Sequence, residues 1–172
     1  MTVRDEHSLQ AFLDRHTRVV VKPTRGEQGR GITVDISGMA AVQQAIVLAK
    51  QHCDDVIVEE LVFGQDLRIV VIDYKVVAAA TRRPAQVIGD GQTPVGALIE
   101  SHSRRRAAAT HGESHIPMDA ETQRCVQAAG YTFDSILPAG LALTVRKTAN
   151  VHTGGTIHDV THDIHPTLRE VA

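Results

Sequence analysis

Three groups of residues have types and spacings that could do chemistry, and each would act on an anion. In the first, Lys22 closes an apolar run and is followed by Thr24-Arg25-Gly26-Glu27-Gln28-Gly29-Arg30-Gly31. A lysine ending a buried strand places its ammonium at the mouth of a sheet, where it needs an anionic partner. Gly26, Gly29 and Gly31 would let backbone N–H groups approach phosphate oxygens. The stretch is not a P-loop, because no Gly-Lys-Ser/Thr follows, and its glycine spacing is not that of a dinucleotide fingerprint. A plain hairpin connection accounts for the same residues.

The second group is Glu59-Glu60-Leu61-Val62, then Gly64, Asp66 and Arg68. A strand edge that breaks off offers backbone groups suited to the donor and acceptor edge of adenine. Asp66 could accept hydrogen bonds from two ribose hydroxyls. Arg68, two residues on and on the same strand face, could meet a phosphate or a substrate carboxylate. A solvated strand of salt bridges is the competing account. The third group runs from Arg146 to Thr156 and holds Arg146, Lys147, Asn150 and the pair Gly154-Gly155. Backbone N–H groups at the glycines, with Arg146 nearby, would form a site for a carboxylate or a transferring phosphoryl group.

Two further clusters suggest other functions. His158 and His162 have the i, i+4 spacing of zinc ligands on a helix, with His152 and His165 close by. Val160, Thr161 and Pro166 make a helix doubtful there, so no metal ligand is assigned. Arg104-Arg105-Arg106 with Arg82-Arg83 could recruit an acidic substrate, with Arg104 as the candidate contact. The negative end of a helix also explains the arginine triplet.

The elements that position these residues follow from periodicity. Residues 5–15 read as a helix, 18–22 and 32–36 as strands, 39–51 as a helix and 56–62 as a strand. Residues 67–73 and 75–81 form a hairpin around Asp73-Tyr74. A helix opens at Thr93-Pro94 and runs towards Arg106, 107–117 is a loop, and a second helix covers 119–129 up to Gly130. Residues 141–149 read as a strand, 151–157 as a loop, and Pro166 starts a last helix. Hairpins mixed with helices give an α+β class rather than a doubly wound sheet.

Bulk composition narrows the choice further. The 172 residues are 42% hydrophobic and 22% charged, as in a globular chain. A net charge of −2, 3% aromatics and no tryptophan argue against nucleic acid as a partner. The two cysteines have no Cys-x-x-Cys partner and fit reduced thiols. No apolar stretch approaches the ~18 residues that would span a membrane, so a soluble cytoplasmic protein is expected.

Taken in order, VVVKP, GEQGRG, VIVEEL, DLRIVV, GDG and RKTANVHTGGTIHDVT resemble the ATP-grasp region of cyanophycin synthetases. They resemble still more closely that of N-acetylglutaminylglutamine synthetases, a group that RRRAAATHGESHIP also resembles. The likeness covers nearly the whole chain. It implies a partial ATP-grasp fold, with a lid lobe at 1–63 and an incomplete antiparallel core lobe at 64–172. It implies a carboxylate–amine ligase that uses ATP and Mg²⁺ to form an acyl phosphate, which an amine converts to an amide. By this resemblance Lys22 would contact the phosphates and adenine, and the loop with Arg25, Gly26, Gln28, Gly29 and Gly31 would close over the triphosphate. Glu59, Glu60, Leu61 and Val62 would read adenine, and Asp66 would hold ribose. Arg68, Arg146 and Asn150 would act catalytically, and Gly154, Gly155 and Arg104 would meet a small amino-acid or peptide substrate.

The magnesium ligands, an Asp and a Glu-x-Asn, are expected beyond residue 172, and a phosphate-contacting lysine is expected before Lys22. The chain alone is therefore expected to be a truncated piece that binds nucleotide without forming an amide. An open sheet edge or exposed apolar surface is expected around Val145 and Ile157, with self-association as the consequence.

Overall fold

A computed structural model describes residues 6–27 and 29–171. The chain forms two compact units, Met1–Phe63 and Gly64–Ala172. The first unit contains α1 (Glu6–Leu13), β1 (Val19–Pro23), β2 (Thr33–Ile36), α2 (Met39–Lys50) and β3 (Val56–Glu60). Its sheet is antiparallel in the order β2-β1-β3. Strand periodicity sets its two faces. Val19, Val21, Val56 and Val58 are buried, whereas Val20, Lys22, Ile57 and Glu59 between them are half-buried.

The buried face packs in one cluster with Leu9 and Leu13 of α1 and Val42, Ala45, Ile46 and Ala49 of α2. Each large aliphatic side chain so buried contributes about 1.5–3 kcal/mol, which fixes the helices on this face and leaves Lys22 on the other. Pro23 ends β1 because it has no N–H to continue the ladder. Between Val19 and Val20 the pairing with β2 slips by one residue. Asp35 is the extra residue, at φ 67, and its carboxylate accepts from Arg18 Nε at 2.6 Å.

The second unit contains β4 (Asp66–Ile72), β5 (Lys75–Arg83), β6 (Gln86–Ile88), α3 (Val95–Ala109), α4 (Ala120–Ala128), β7 (Ala142–Thr144), β8 (Thr156–Asp159) and α5 (Pro166–Val171). Its two antiparallel sheets have the orders β4-β5-β8 and β6-β7. Asp73 and Tyr74 join β4 to β5 with φ of 49° and 59°, the signs a type I′ turn requires. The core gathers Val87, Val95, Ile99, Ile116, Val126, Leu137, Leu143 and Val145 between β6, β7, α3 and α4. Asp119 caps α4 by accepting from the Thr122 N–H at 2.9 Å, and Gly130 follows the helix at φ 85.

The expected α+β class holds, and the structure corrects several boundaries. The strand expected over 141–149 stops at Thr144, because its partner β6 is only three residues long. One further bond, from Val145 N–H to the Ala85 carbonyl at 2.9 Å, ends the pairing. The loop expected over 151–157 begins as a 3-10 turn, Val151–Thr153, and its end joins β8 against β5. Helix α3 runs on to Ala109 instead of stopping at Arg106. Val145 is fully buried, contrary to the apolar surface expected there, whereas Ile157 is exposed. Among the described residues no helix is long and apolar enough to cross a membrane.

Candidate functional site

The face of the first sheet turned away from its core carries the first group. Lys22 Nζ lies 2.7 Å from a Glu59 carboxylate oxygen, a diagonal pair across β1 and β3. The ion pair keeps a half-buried ammonium compensated, and an incoming anion must displace or share it. Beyond Pro23 the loop stands in solvent, with Arg25, Gly26 and Glu27 exposed. Gly29 and Gly31 have φ of 76° and 70°, so both occupy the left-handed region. Gln28, assigned to the same loop, lies outside the described residues. At the root of the loop the Thr24 hydroxyl sits 3.4 Å from Cys53 Sγ. That contact, with the nearby Asp55 backbone, holds the thiol below its ordinary value.

The expected adenine edge is partly occupied. Glu60 is the last residue of β3 paired with β1, but the Leu61 N–H donates to the Arg18 carbonyl at 2.9 Å. That amide is already committed within the unit and is not free to meet a ligand. The Glu60 carboxylate meets His16 Nδ1 at 3.0 Å. Val62 and Phe63 are exposed, and the Arg18 guanidinium lies 5.0 Å from the centroid of the Phe63 ring.

In the second unit Asp66 opens β4 directly opposite Arg82 on β5. Arg82 donates from Nε to Oδ1 at 2.9 Å and from Nη2 to Oδ2 at 2.7 Å. Register places Arg68, Ala80, Ile157 and Asp159 on the same face, with Arg68 exposed. Sequence reasoning missed Arg82 as the partner of Asp66 for a definite reason. A regular two-residue hairpin would oppose Asp66 to Thr81, but a bulge between Val70 and Val71 shifts the rest of β4 by one residue.

The third group is built differently from its expected role. Arg146 is buried, and its Nη1 donates to Asp119 at 2.7 Å and to the Thr122 hydroxyl at 2.9 Å, fastening the segment just after β7 to the start of α4. Its Nε and the Thr148 hydroxyl are buried without hydrogen-bond partners among the described residues. Gly154 and Gly155 are buried as well, and their N–H groups donate to the Val151 and Asn150 carbonyls. The open anion cradle expected there is thus a closed turn. Asn150 caps it by accepting from the His152 N–H at 2.9 Å.

Arg106, rather than Arg104, reaches this turn, donating from Nη2 to the Gly155 carbonyl at 2.8 Å and from Nε to the Ser114 hydroxyl at 3.0 Å. Ser114 in turn donates to the Val151 carbonyl. Helical spacing could have revealed this, since Ile99, Ser103 and Arg106 share a stripe of α3 and Arg104 and Arg105 fall outside it. Residues 158–162 are strand and then turn. His158 Nε2 pairs with the Thr156 hydroxyl at 3.0 Å, and Asp159 closes its own turn on Thr161, which holds its carboxyl below the usual range. Among the described residues no three His, Cys, Asp or Glu side chains are gathered to hold a metal.

Comparison with known proteins places this geometry. No family model matches the chain. It is 40% identical over 154 residues to the cyanophycin synthetase of Nostoc sp. (strain PCC 7120), covering 86% of this chain and 17% of that one. It is 29% identical over 159 residues to a glutathione biosynthesis bifunctional protein of Streptococcus agalactiae, covering 90% of this chain and 21% of the relative. The crystal structure of a bifunctional glutathione synthetase from Pasteurella multocida matches the whole chain with a TM-score of 0.53, at 24% identity and over 24% of its own length.

The chain corresponds to an ATP-grasp ligase region. Its fold is that of the matched synthetase structure, at an identity low enough that the fold alone is carried over. The region spans less than a fifth of the cyanophycin synthetase it matches. The activity of any whole protein containing it is therefore a matter for proposal.

Proposed function

We propose that this ATP-grasp region holds ATP for a ligase that activates a carboxylate as an acyl phosphate and joins it to an amine. Cyanophycin or N-acetylglutaminylglutamine synthesis has this chemistry, and the acid would be a small amino acid or peptide. Residues 1–63 are read as the lid lobe and 64–172 as the core lobe. The observation that carries the reading is the Lys22–Glu59 pair on the outward face of β1 and β3, immediately before a loop with two left-handed glycines. Phosphoryl transfer needs positive charge near the γ-phosphoryl oxygens, which Lys22 would supply once Glu59 turns aside. Arg68, exposed on the second sheet, would add charge at the phosphates or the acid.

The ATP-grasp reading also calls for Mg²⁺, which would bridge phosphates and neutralise their charge. The described carboxylates do not fit that role as a set. Asp159 is turned into its own loop and Asp90 bonds Gln92 and Thr93. This favours a second reading for the 172 residues alone, a nucleotide-binding module without turnover. Calorimetric titration with ATP, alongside an ADP-release assay with candidate acids and amines, separates the two. Binding without release supports the module. ADP release dependent on both an acid and an amine supports the ligase in this chain itself, and absence of ATP binding removes both.

A further inference from the structure

Lys22 already has an anion of its own within the first unit. It stands on the middle strand of the β2-β1-β3 sheet, and Glu59 is the penultimate residue of the edge strand β3. Register places Val20 opposite Glu59 and Ile57 opposite Lys22, and all four are half-buried on the outward face. Ammonium and carboxylate oxygen are 2.7 Å apart, with the side chains of Lys22 and Glu59 35% and 44% exposed. Two aliphatic neighbours flank the pair and keep part of the water away from it. An ammonium left without a partner there would be poorly solvated, so removing the carboxylate costs the fold something.

We propose that Glu59 is a stand-in for the phosphate, an autoinhibitory contact that steadies the fold and yields when a polyphosphate takes its place on Lys22. The proposal rests on the reading of Lys22 as a phosphate contact and adds a competitor to it. Lys22 is held in the centre of the sheet and Glu59 lies near a strand end, so the carboxylate is the partner that swings out. The observed affinity is then the intrinsic one scaled by the fraction of chains in which the pair is open. A partly exposed ion pair keeps that fraction low enough to weaken binding by about two- to sixfold. The same contact therefore acts in opposite directions on stability and on affinity, which separates a stand-in from a residue that merely orients the lysine.

Calorimetry with inorganic triphosphate and with ATP, at fixed ionic strength, tests this on the 172-residue chain. The variants are Glu59→Gln, Lys22→Ala and the two combined. Glu59→Gln should bind both ligands about two- to sixfold more tightly than the parent. Lys22→Ala should bind triphosphate more weakly, and adding Glu59→Gln to it should change nothing further. Thermal melts read the other half. Glu59→Gln should melt below the parent in buffer alone, and saturating triphosphate should close the gap. An affinity that falls in Glu59→Gln would make Glu59 a residue that orients Lys22, and the proposal would be wrong. An equal gain with and without Lys22 would reduce the effect to plain repulsion between carboxylate and phosphate, which overturns it as well. Undiminished triphosphate affinity in Lys22→Ala, or no triphosphate binding by the parent, would remove the phosphate reading of Lys22 itself and the proposal with it.

Discussion

The loop at 24–31 and the turn at 150–155 are both glycine-rich, both border cationic side chains, and both read as anion cradles in the sequence. Their structures are opposites. The first is exposed from Thr24 to Glu27 and at Arg30, with Gly29 and Gly31 half-buried and in the left-handed region. The second is buried, its amides spent on Val151 and Asn150, and Arg106 and Ser114 hold it from outside. Glycine serves conformational freedom in both, and in the second it also permits a close approach to Ile116. The two uses look alike in a sequence because both remove a Cβ.

The largest expected effect tests that distinction directly. A Cβ at Gly154 would lie 2.4 Å from Ile116 Cγ1, at φ +92. Overpacking of about 1–3 kcal/mol adds to left-handed strain of about 1–2 kcal/mol, so Gly154→Ala should lose about 2–5 kcal/mol in chemical denaturation. At Gly31 the Cβ would meet His52 Cδ2 at 2.6 Å, the end of a side chain that can swing away. Gly31→Ala should cost about 1–2 kcal/mol, from the backbone conformation alone. Equal losses at the two sites would break the comparison.

Lys22→Ala sharpens the functional half of the contrast. If the open loop and its lysine hold phosphate, ATP affinity should fall by about 1.5–3 kcal/mol while folding stability changes by less than about 1 kcal/mol. Removing Arg106 from the closed turn should do the reverse, lowering stability because Ser114 and the Gly155 carbonyl lose a partner. Calorimetry and denaturation on the same two variants give the answer. An ATP loss with Arg106 removed that matches the loss in Lys22→Ala would merge two sites that the structure keeps distinct in kind.

The sequence showed its longer periodic elements well and its short paired ones poorly. β1, α2 and β3 were legible because a buried face repeats at the strand or helix period, and the hairpin because two apolar runs flank Asp73-Tyr74, although β4 is exposed except at the half-buried Ile69. β6 and β8 were not. They are three and four residues long, and β8 is half-exposed at Thr156 and exposed at Ile157, His158 and Asp159, so the backbone bonds to β5 define it without any side-chain pattern. In the candidate sites the residue types were readable and their partners were not. Arg146 looked free to meet a ligand, whereas Asp119, 27 residues earlier, holds it in the interior. Asp66 was visible and Arg82 was not, because one bulged residue decides which side chain faces it. Partners of this kind depend on register and long-range approach, which local spacing does not encode.

A third glycine turn, Gly89-Asp90-Gly91, lies between the two extremes and yields the smallest expected effect. It is held by a side chain: the Asp90 carboxylate accepts from the Gln92 N–H at 2.9 Å, the Thr93 N–H at 2.7 Å and the Thr93 hydroxyl at 2.6 Å. The Thr93 hydroxyl is the largest of the influences that lower its pKa from 3.8 to about 2. Because the folded value is depressed, the contribution is complete above the unfolded value of 3.8 and is lost as pH falls through about 2. Asp90→Asn keeps one acceptor and removes the charge. The variant should melt slightly below the parent at neutral pH, and the gap should narrow below pH 3.8 and close near pH 2. Thermal melts of both proteins across that range measure it. The closed turn at 150–155 has no ionised acceptor, so the Gly154→Ala deficit should stay constant over the same window. A gap for Asp90→Asn that is equally flat would mean the turn is held by its glycines and packing, as at Gly154, and that charge adds nothing there.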